Sequence, residues 1–474
     1  MTERAFPVSG PMPLQTWPIA DRRVEAFLGA LVLVVGLPVW AYLTTEISED
    51  GSAPAWPLLA IVEMAAVRLV WILGVGERRL HEMVFWVFVY VVMGMAPFIQ
   101  VRMGIEPSTT RSLNGMYYDD ALLVILIGCL AWMAGSGFGT ATEHQGLNFR
   151  HYEVNLLRAQ LLFGAMLFAT SFYIFSVGPT VLFESRFARS LAAEEAWPNT
   201  ATSTLMEVGV PMGLLVTYVA QAQAHKSIGT NNARILLGRS LIILNLVALF
   251  AVVNPVSSPR YVFGAVLLAV AATLGVYSTL RGFRVVALVA APAFILLFPL
   301  ADAFRDLERG EDVPVGVRES MYSGDYDSFA QVLNAVSYVE ENGVLWGRQL
   351  IGTIFLWVPR SFWPDKPQPT GVVLADFKNY TFHNLSAPIW AELFIDGGWT
   401  LLIFGMFCLG LLVRRLDQRA EVVLRAQKMP GLLGCILPFF FIIILRGSLM
   451  GVAGGLLVIL LGWVIVTDFR GHRT

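Results

Sequence analysis

Charge is scarce in this chain. Charged residues make up 14% of it and hydrophobic ones 56%, against roughly 25% charged in a soluble domain, which excludes a soluble multi-domain protein. Cysteine is nearly absent. Cys129, Cys408 and Cys435 each lie in an apolar run without metal-ligand spacing, so neither a disulfide framework nor a zinc site is expected. No HExxH, GxSxG, Walker or CxxC arrangement occurs, which weakens protease, hydrolase and ATPase readings. No basic tract marks a nucleic-acid partner, and a net charge of −2 gives no electrostatic footprint. Residues 1–23 are Pro-rich and polar and lack an A-x-A-type cleavage signal, so no cleavable leader is expected. No internal repeat is evident, which weighs against a repeat-built transporter.

What the chain does have is apolar runs of about 20 residues, the length that crosses hydrocarbon. They fall at 24–43, 55–73, 83–103, 120–138, 157–177, 205–224, 235–253, 261–280, 285–301, 393–413, 431–445 and 452–467. The expectation is an all-α polytopic membrane protein of about 12 transmembrane helices, with a large external helical cap between spans 9 and 10. Residues 1–23 form an N-terminal segment, 24–301 spans 1–9, 302–392 the cap, 393–467 spans 10–12, and 468–474 a tail. An even number of spans puts both termini on one side. The loops of that side hold 19 of the 33 Lys and Arg, the opposite short loops 6, the long segment 7, and Arg68 lies within a span. By the positive-inside bias of short loops, both termini are cytoplasmic and 302–385 is external. Residues 179–203, with Arg186, Arg189, Glu194 and Glu195, suit an interfacial helix.

The long segment changes character midway. Residues 302–341 hold ten acidic residues against Arg305, Arg309 and Arg318; residues 342–385 hold Arg348, Arg360, Lys366 and Lys378 against Asp365 and Asp376. Between them Ser328 and Gln331 read as a capping box opening a helix. Phe329, Val332, Leu333, Val336 and Val339 form its apolar face, and Asn342-Gly343 closes it. Asp325 and Asp327 read as aids to that helix start. Further on, 351–358 is too short to span and reads as interfacial or re-entrant. Four prolines at 359, 364, 367 and 369 then bar helix and central strand. This stiff stretch carries Arg360 and Lys366 among Trp357, Phe362 and Trp363, a basic aromatic loop set between apolar helices.

The candidate chemistry is arginine at span ends and in the cap: Arg260, Arg305, Arg348, Arg360 and Arg446. Each arginine has two readings. It can snorkel to headgroups or pair with a carboxylate such as Glu392. Alternatively, several converge on one anionic group, because the guanidinium fork fits phosphate. Glu392 suits a general base or an arginine partner. His383 is a candidate for proton transfer by residue type, although loop histidines are often idle. Glu63 and Arg68, five apart in one span, can pair with each other or with a neighbouring helix. Glu46, Glu49 and Asp50 suit a solvated loop better than a metal site.

Several stretches together carry a resemblance. They are Asp327-Ser328-Phe329, Gly347, Pro359-Arg360-x-x-Trp363-Pro364-x-Lys366-Pro367, Glu392 with Gly397-Gly398, and Leu445-Arg446-Gly447. Over 322–450 the chain resembles bacterial oligosaccharide repeat-unit polymerases, the Wzy or O-antigen polymerase group; its earlier spans match in topology alone. The resemblance implies a GT-C-related, metal-independent glycosyltransferase without a cofactor. Its place would be the outer face of the bacterial inner (cytoplasmic) membrane. It implies polyprenyl-pyrophosphate-linked oligosaccharides as donor and acceptor, in contact with membrane lipid, and chain-length regulator and flippase proteins as partners. In that frame Arg360, Arg446, Arg260, Arg305 and Lys366 would bind pyrophosphate. Glu392 would be the base with His383 behind it, and Trp357, Trp363 and Arg348 would contact sugar or prenyl. Two alternatives stay open: an O-antigen-ligase-like transferase, and a flippase or exporter of the lipid-linked unit.

Overall fold

Helix formation follows the apolar runs almost everywhere. The computed structural model describes residues 19–47, 55–141, 153–197, 202–203, 205–225, 232–307, 321–426 and 429–469. The part of the expected cap at 308–320 lies outside them, as do Glu49, Asp50 and Arg150. Among the described residues the regular structure is all helical, apart from a two-residue antiparallel pairing of Glu153–Val154 with Thr467–Asp468.

Among the described residues, eight helices are long and apolar enough to cross a membrane. They are α1 (Val24–Thr44), α2 (Trp56–Gly74), α3 (Leu80–Met103), α4 (Gly115–Gly139), α5 (Leu156–Val177), α7 (Leu205–His225), α14 (Ile389–Arg425) and α16 (Leu449–Val466). Between α5 and α7 lies α6 (Arg186–Ala196), the short helix expected in the 179–203 loop. Three apolar helices are shorter: α8 (Leu236–Val252), α9 (Arg260–Thr273) and α15 (Gly431–Arg446). α10 (Leu280–Leu307) covers the run at 285–301. α11 (Ser328–Asn342), α12 (Arg348–Ile354) and α13 (Thr370–Lys378) lie between α10 and α14. Of the twelve spans expected from sequence, eight correspond to helices long enough to cross a membrane among the described residues, so the count of twelve is not confirmed.

The centre of the molecule is α3, most of whose residues are buried. Phe85 stacks on Trp132 of α4 at 4.1 Å, Trp86 meets Trp132 edge-on, and Phe85 and Phe88 both stack on Trp390 of α14. Small residues let α14 approach α4 closely. A Cβ on Gly135 would sit 1.9 Å from the Phe407 carbonyl, and one on Gly410 2.1 Å from that of Trp132. Backbone contact of this kind is how apolar helices associate where burial from water supplies little force. Wider π turns at Ala30–Gly36 and Val89–Met95 lie beside Pro38 and Pro97, where a missing N–H disturbs the α ladder.

The two ends of α3 differ sharply. Its N-terminus is held by Asp417 of α14, which accepts the backbone N–H of His81 (2.9 Å) and of Glu82 (3.0 Å) and pairs with His81 Nδ1 at 2.8 Å. Around it Arg78 grips Glu421 through two guanidinium nitrogens, at 2.8 and 3.0 Å. Arg79 binds Glu77 and Glu82, Arg414 binds Glu77, and Arg68 binds Glu82. Of the two partners open to Arg68 from sequence, the neighbouring helix holds it, not Glu63. Toward the other end of α3, about 29 Å from His81 by helix rise, Gln100 Nε2 donates to the carbonyls of Met321 (2.8 Å) and Tyr326 (3.1 Å). This contact docks the 321–388 segment.

Candidate functional site

The proline-rich stretch folds as a braced arm. Gly347, at φ +79°, turns the chain into α12, in the left-handed region that suits glycine. The buried carboxylate of Asp396 in α14 accepts the N–H groups of Gln349 (3.0 Å) and Leu350 (2.9 Å), capping α12 from outside. Gly352 lies against Pro367 and Met450, which seats the arm on the N-terminal end of α16. Turns rather than helix follow, as the prolines require. The expected helix at 351–358 instead ends at Ile354.

Three cations close this arm on itself. Arg360 donates to the carbonyls of Lys366 (2.7 Å) and Pro367 (3.1 Å) and to Gln368 Oε1 (3.2 Å). Lys366 Nζ donates to the carbonyls of Leu356 (2.6 Å) and Val358 (3.0 Å), and Arg348 to that of Asp365 (2.7 Å). Among the described residues no carboxylate pairs with any of the three. Carbonyl partners orient a cation without cancelling its charge. Partial loss of solvent, and then the positive Arg360, hold the Lys366 ammonium below the usual lysine range. Beside these groups Trp357 is 66% exposed and Phe362 84%, while Trp363 is partly buried. The arm thus presents net positive charge next to uncovered aromatic surface.

A second cluster joins three parts of the chain. Arg260, at the start of α9, binds Asp325 at 2.8 Å. Arg446, at the end of α15, donates to the carbonyls of Gly324 (2.8 Å) and Asp325 (3.2 Å) and lies 3.5 Å from Asp327 and 3.7 Å from Asp325. Its guanidinium covers the Tyr261 ring at 4.7 Å, and Tyr261 Oη donates to the Asp325 carbonyl. Two arginines here face two carboxylates, so the formal charges balance. Arg305 lies on α10, and its side chain is outside those described.

Glu392 belongs to neither cluster. Only 2% exposed, it accepts from Thr370 Oγ1 (2.7 Å), Ser448 Oγ (3.0 Å) and the Leu449 N–H (2.7 Å). It therefore caps α16 and ties α13 to α14, and the arginine partnership expected from sequence is not formed. His383 pairs with Asp376 at 3.0 Å on the surface. The capping box is not formed either: Asp327 stands at the N-cap with no side-chain bond to the first turn of the helix, and Gln331 Nε2 reaches Thr110 at 2.9 Å. Of the expected apolar face of α11, Phe329, Val332, Leu333 and Val336 are buried and Val339 partly so, and Gly343 closes the helix at φ +78°. Sequence reasoning missed Asp396, Ser448 and Thr370 as anchors, because each acts on residues distant in the chain. It also gave Asp325 and Asp327 a purely local role. No protein-family model, no curated protein and no solved structure matches this chain.

Proposed function

We propose that this protein is a polytopic membrane glycosyltransferase that joins polyprenyl-pyrophosphate-linked oligosaccharide units. In this reading residues 302–392 form an external cap and both termini are cytoplasmic. The braced arm is the observation that carries the reading. Arg348, Arg360 and Lys366 keep an uncancelled positive charge in fixed positions, and Trp357 and Phe362 lie uncovered beside them. A ligand that fits is an amphiphile with an anionic head, and a polyprenyl pyrophosphate is one. In the transfer step charge develops on the departing pyrophosphate, and preorganised donors lower the barrier by meeting it. Arg360 is the main clamp, because a planar fork matches phosphate oxygens better than an ammonium does. Arg260 and Arg446, already balanced by Asp325 and Asp327, hold the cap on the helix ends rather than bind pyrophosphate.

The test is reconstitution of the purified protein in lipid nanodiscs with polyprenyl-pyrophosphate-linked oligosaccharide from the source cells. A ladder of extended lipid-linked glycan on a gel is expected. Neither extension nor glycan transfer, from protein shown to be folded, would overturn the proposal.

A further inference from the structure

We propose that Asp327 is the proton acceptor of this transfer, and that it opens a buried seam binding a sugar hydroxyl of the acceptor unit. The inference rests on the glycosyltransferase reading and adds a site to it. Two buried carboxylates show what is unusual. Glu392 accepts three bonds of 2.7 to 3.0 Å. Asp327, 1% exposed, has its contacts at 3.3 Å (Ser386 N–H), 3.5 Å (Thr109 Oγ1) and 3.5 Å (Arg446). Those lie at or beyond the ordinary N–H···O and O–H···O ranges. A buried carboxylate so loosely held has acceptor capacity to spare.

The groups around it are under-used too. Ser328 Oγ is buried without a hydrogen-bond partner, and the buried Ser386 hydroxyl faces the Asp327 carboxylate. Asn334 Oδ1, on the same face of α11, is likewise buried and unpartnered. Gln331 and Asn334 follow Asp327 by four and seven residues, so the three share one face of α11, and all are buried where a packed helix would ordinarily carry apolar side chains. Buried polar atoms left unpaired call for a guest. Two acceptors, the Asp327 carboxylate and Asn334 Oδ1, with two hydroxyls able to donate or accept, fit a polyol. They do not fit an anion, which the carboxylate would repel, or a cation, which Arg446 would. Residues 379–386, which run past the seam, have no regular structure and are exposed at 381–384, so entry requires this stretch to shift.

The step balances as follows. The acceptor hydroxyl gives its proton to the Asp327 carboxylate while its oxygen bonds to the anomeric carbon of the donor glycan. The bond from that carbon to the pyrophosphate oxygen breaks, and polyprenyl pyrophosphate leaves with the electron pair. Asp327 then releases the proton to solvent. The charged and titratable groups facing Asp327 are Arg446 from α15, Tyr261 from α9 and Asp325 from its own segment. Arg446, fixed by the Gly324 and Asp325 carbonyls, is a positioning residue. Burial, the largest influence, raises the Asp327 carboxyl above the usual aspartate range despite Arg446, which makes it the better proton acceptor near neutral pH.

The experiment measures single-turnover extension in nanodiscs from pH 5 to 8.5 for wild type, Asp327→Asn, Asp327→Glu and Ser386→Ala. Binding of the lipid-linked unit and thermal unfolding are followed alongside. Asp327→Asn should slow extension by about 100- to 10,000-fold, leave binding within about twofold by the same argument, and remove the acidic limb of the pH profile. Ser386 lowers the Asp327 pKa, so Ser386→Ala should move that limb to higher pH. A carboxyl whose folded pKa is raised stabilises the protein below the unfolded pKa and loses that contribution as pH rises through the folded one. At pH 7.5 the amide variant sheds the cost of burying the charged form but gives up the 3.5 Å ion pair with Arg446, so its folding is read from thermal unfolding. Should it fail to fold, Asp327→Glu decides, with slowed extension and a retained acidic limb expected. Wild-type extension with Asp327→Asn (or, in its place, Asp327→Glu) within about threefold and an unchanged pH profile overturns this inference alone. A wild type that extends nothing overturns the transferase reading and this inference with it.

Discussion

Replacing Glu392 separates two roles that look alike in sequence. As a general base it would act on substrate, whereas in the structure its carboxylate is occupied by Thr370 Oγ1, Ser448 Oγ and the Leu449 N–H. Glu392→Ala deletes the acceptor and leaves three donors. The Leu449 amide cannot turn elsewhere, so its loss costs about 1–3 kcal/mol; the two hydroxyls can rotate and lose about 1 kcal/mol each. The total is about 3–5 kcal/mol, a large share of what holds a typical domain folded. Glu392→Gln keeps one acceptor oxygen and a similar shape, and the hydroxyls can accept from its amide, so about 1 kcal/mol is expected. The assay pairs thermal unfolding of the purified variants with the extension ladder. Glu392→Ala should be recovered in low yield with an early unfolding transition, and Glu392→Gln should fold and extend glycan within about tenfold of wild type. A well-folded Glu392→Gln with extension reduced a hundredfold or more would refute the clamp and restore the base.

Three further outcomes follow from the geometry. Arg360→Lys should reach one of the three acceptors at Lys366, Pro367 and Gln368 and lose the planar fork, slowing extension by about a hundredfold at normal abundance; undiminished polymer length would remove Arg360 from the site. Gly410→Val places a side chain where a Cβ alone would be 2.1 Å from the Trp132 carbonyl, whereas Gly137 has nothing within 4 Å. Folded yield should therefore collapse for Gly410→Val and not for Gly137→Val, and equal yields would contradict the α4–α14 packing. In a background lacking Cys129, Cys408 and Cys435, Ser323→Cys should react with an impermeant thiol reagent in intact cells and Ser240→Cys should not; the reverse pattern inverts the proposed topology.

Local chemistry was legible in the sequence, and long-range pairing was not. Prolines at 359, 364, 367 and 369 act on their own backbone, so the irregular arm could be read without knowing what surrounds it. Gly343 as a helix stop is legible for the same reason. The partners of charged groups follow another logic. Arg446 finds Asp325 and Asp327, and Arg260 finds Asp325, only because α9, α15 and the 321–327 segment meet in space. Ser328 and Gln331 have the spacing of a capping box, but Thr110 offers Gln331 a tertiary partner and the reciprocal cap is not made. Glu392 shows the same limit: its position before an apolar run suggested a base or an arginine partner, and its donors come from chain segments at 370 and 448–449. A motif constrains its own few residues; a buried side chain is spoken for by whichever donor the fold brings nearest.

The ends of α3 bear on the choice between transferase and exporter. An exporter has to open alternately to both sides, and its moving parts must separate at each. At the α3 N-terminus α14 is bound to the rest by Asp417, Arg414 and Glu421, through pairs that are mostly buried. Removing one partner of such a pair is typically worth 3–5 kcal/mol, and opening this end would disturb several together. The weak point of α14 lies at the other end, where Gly397 and Gly398 leave helical geometry and Gly398 takes φ +59°. Asp396, immediately before that break, is the residue that holds the basic arm. Glu392, in the same short piece as Asp396, is bound to Ser448 and Leu449 at the start of α16, so the arm, this piece and the α16 terminus are tied together beyond the break. On the proposed transferase reading the substrate reaches the arm from this side, and the Asp417 end need not open as it would in an exporter.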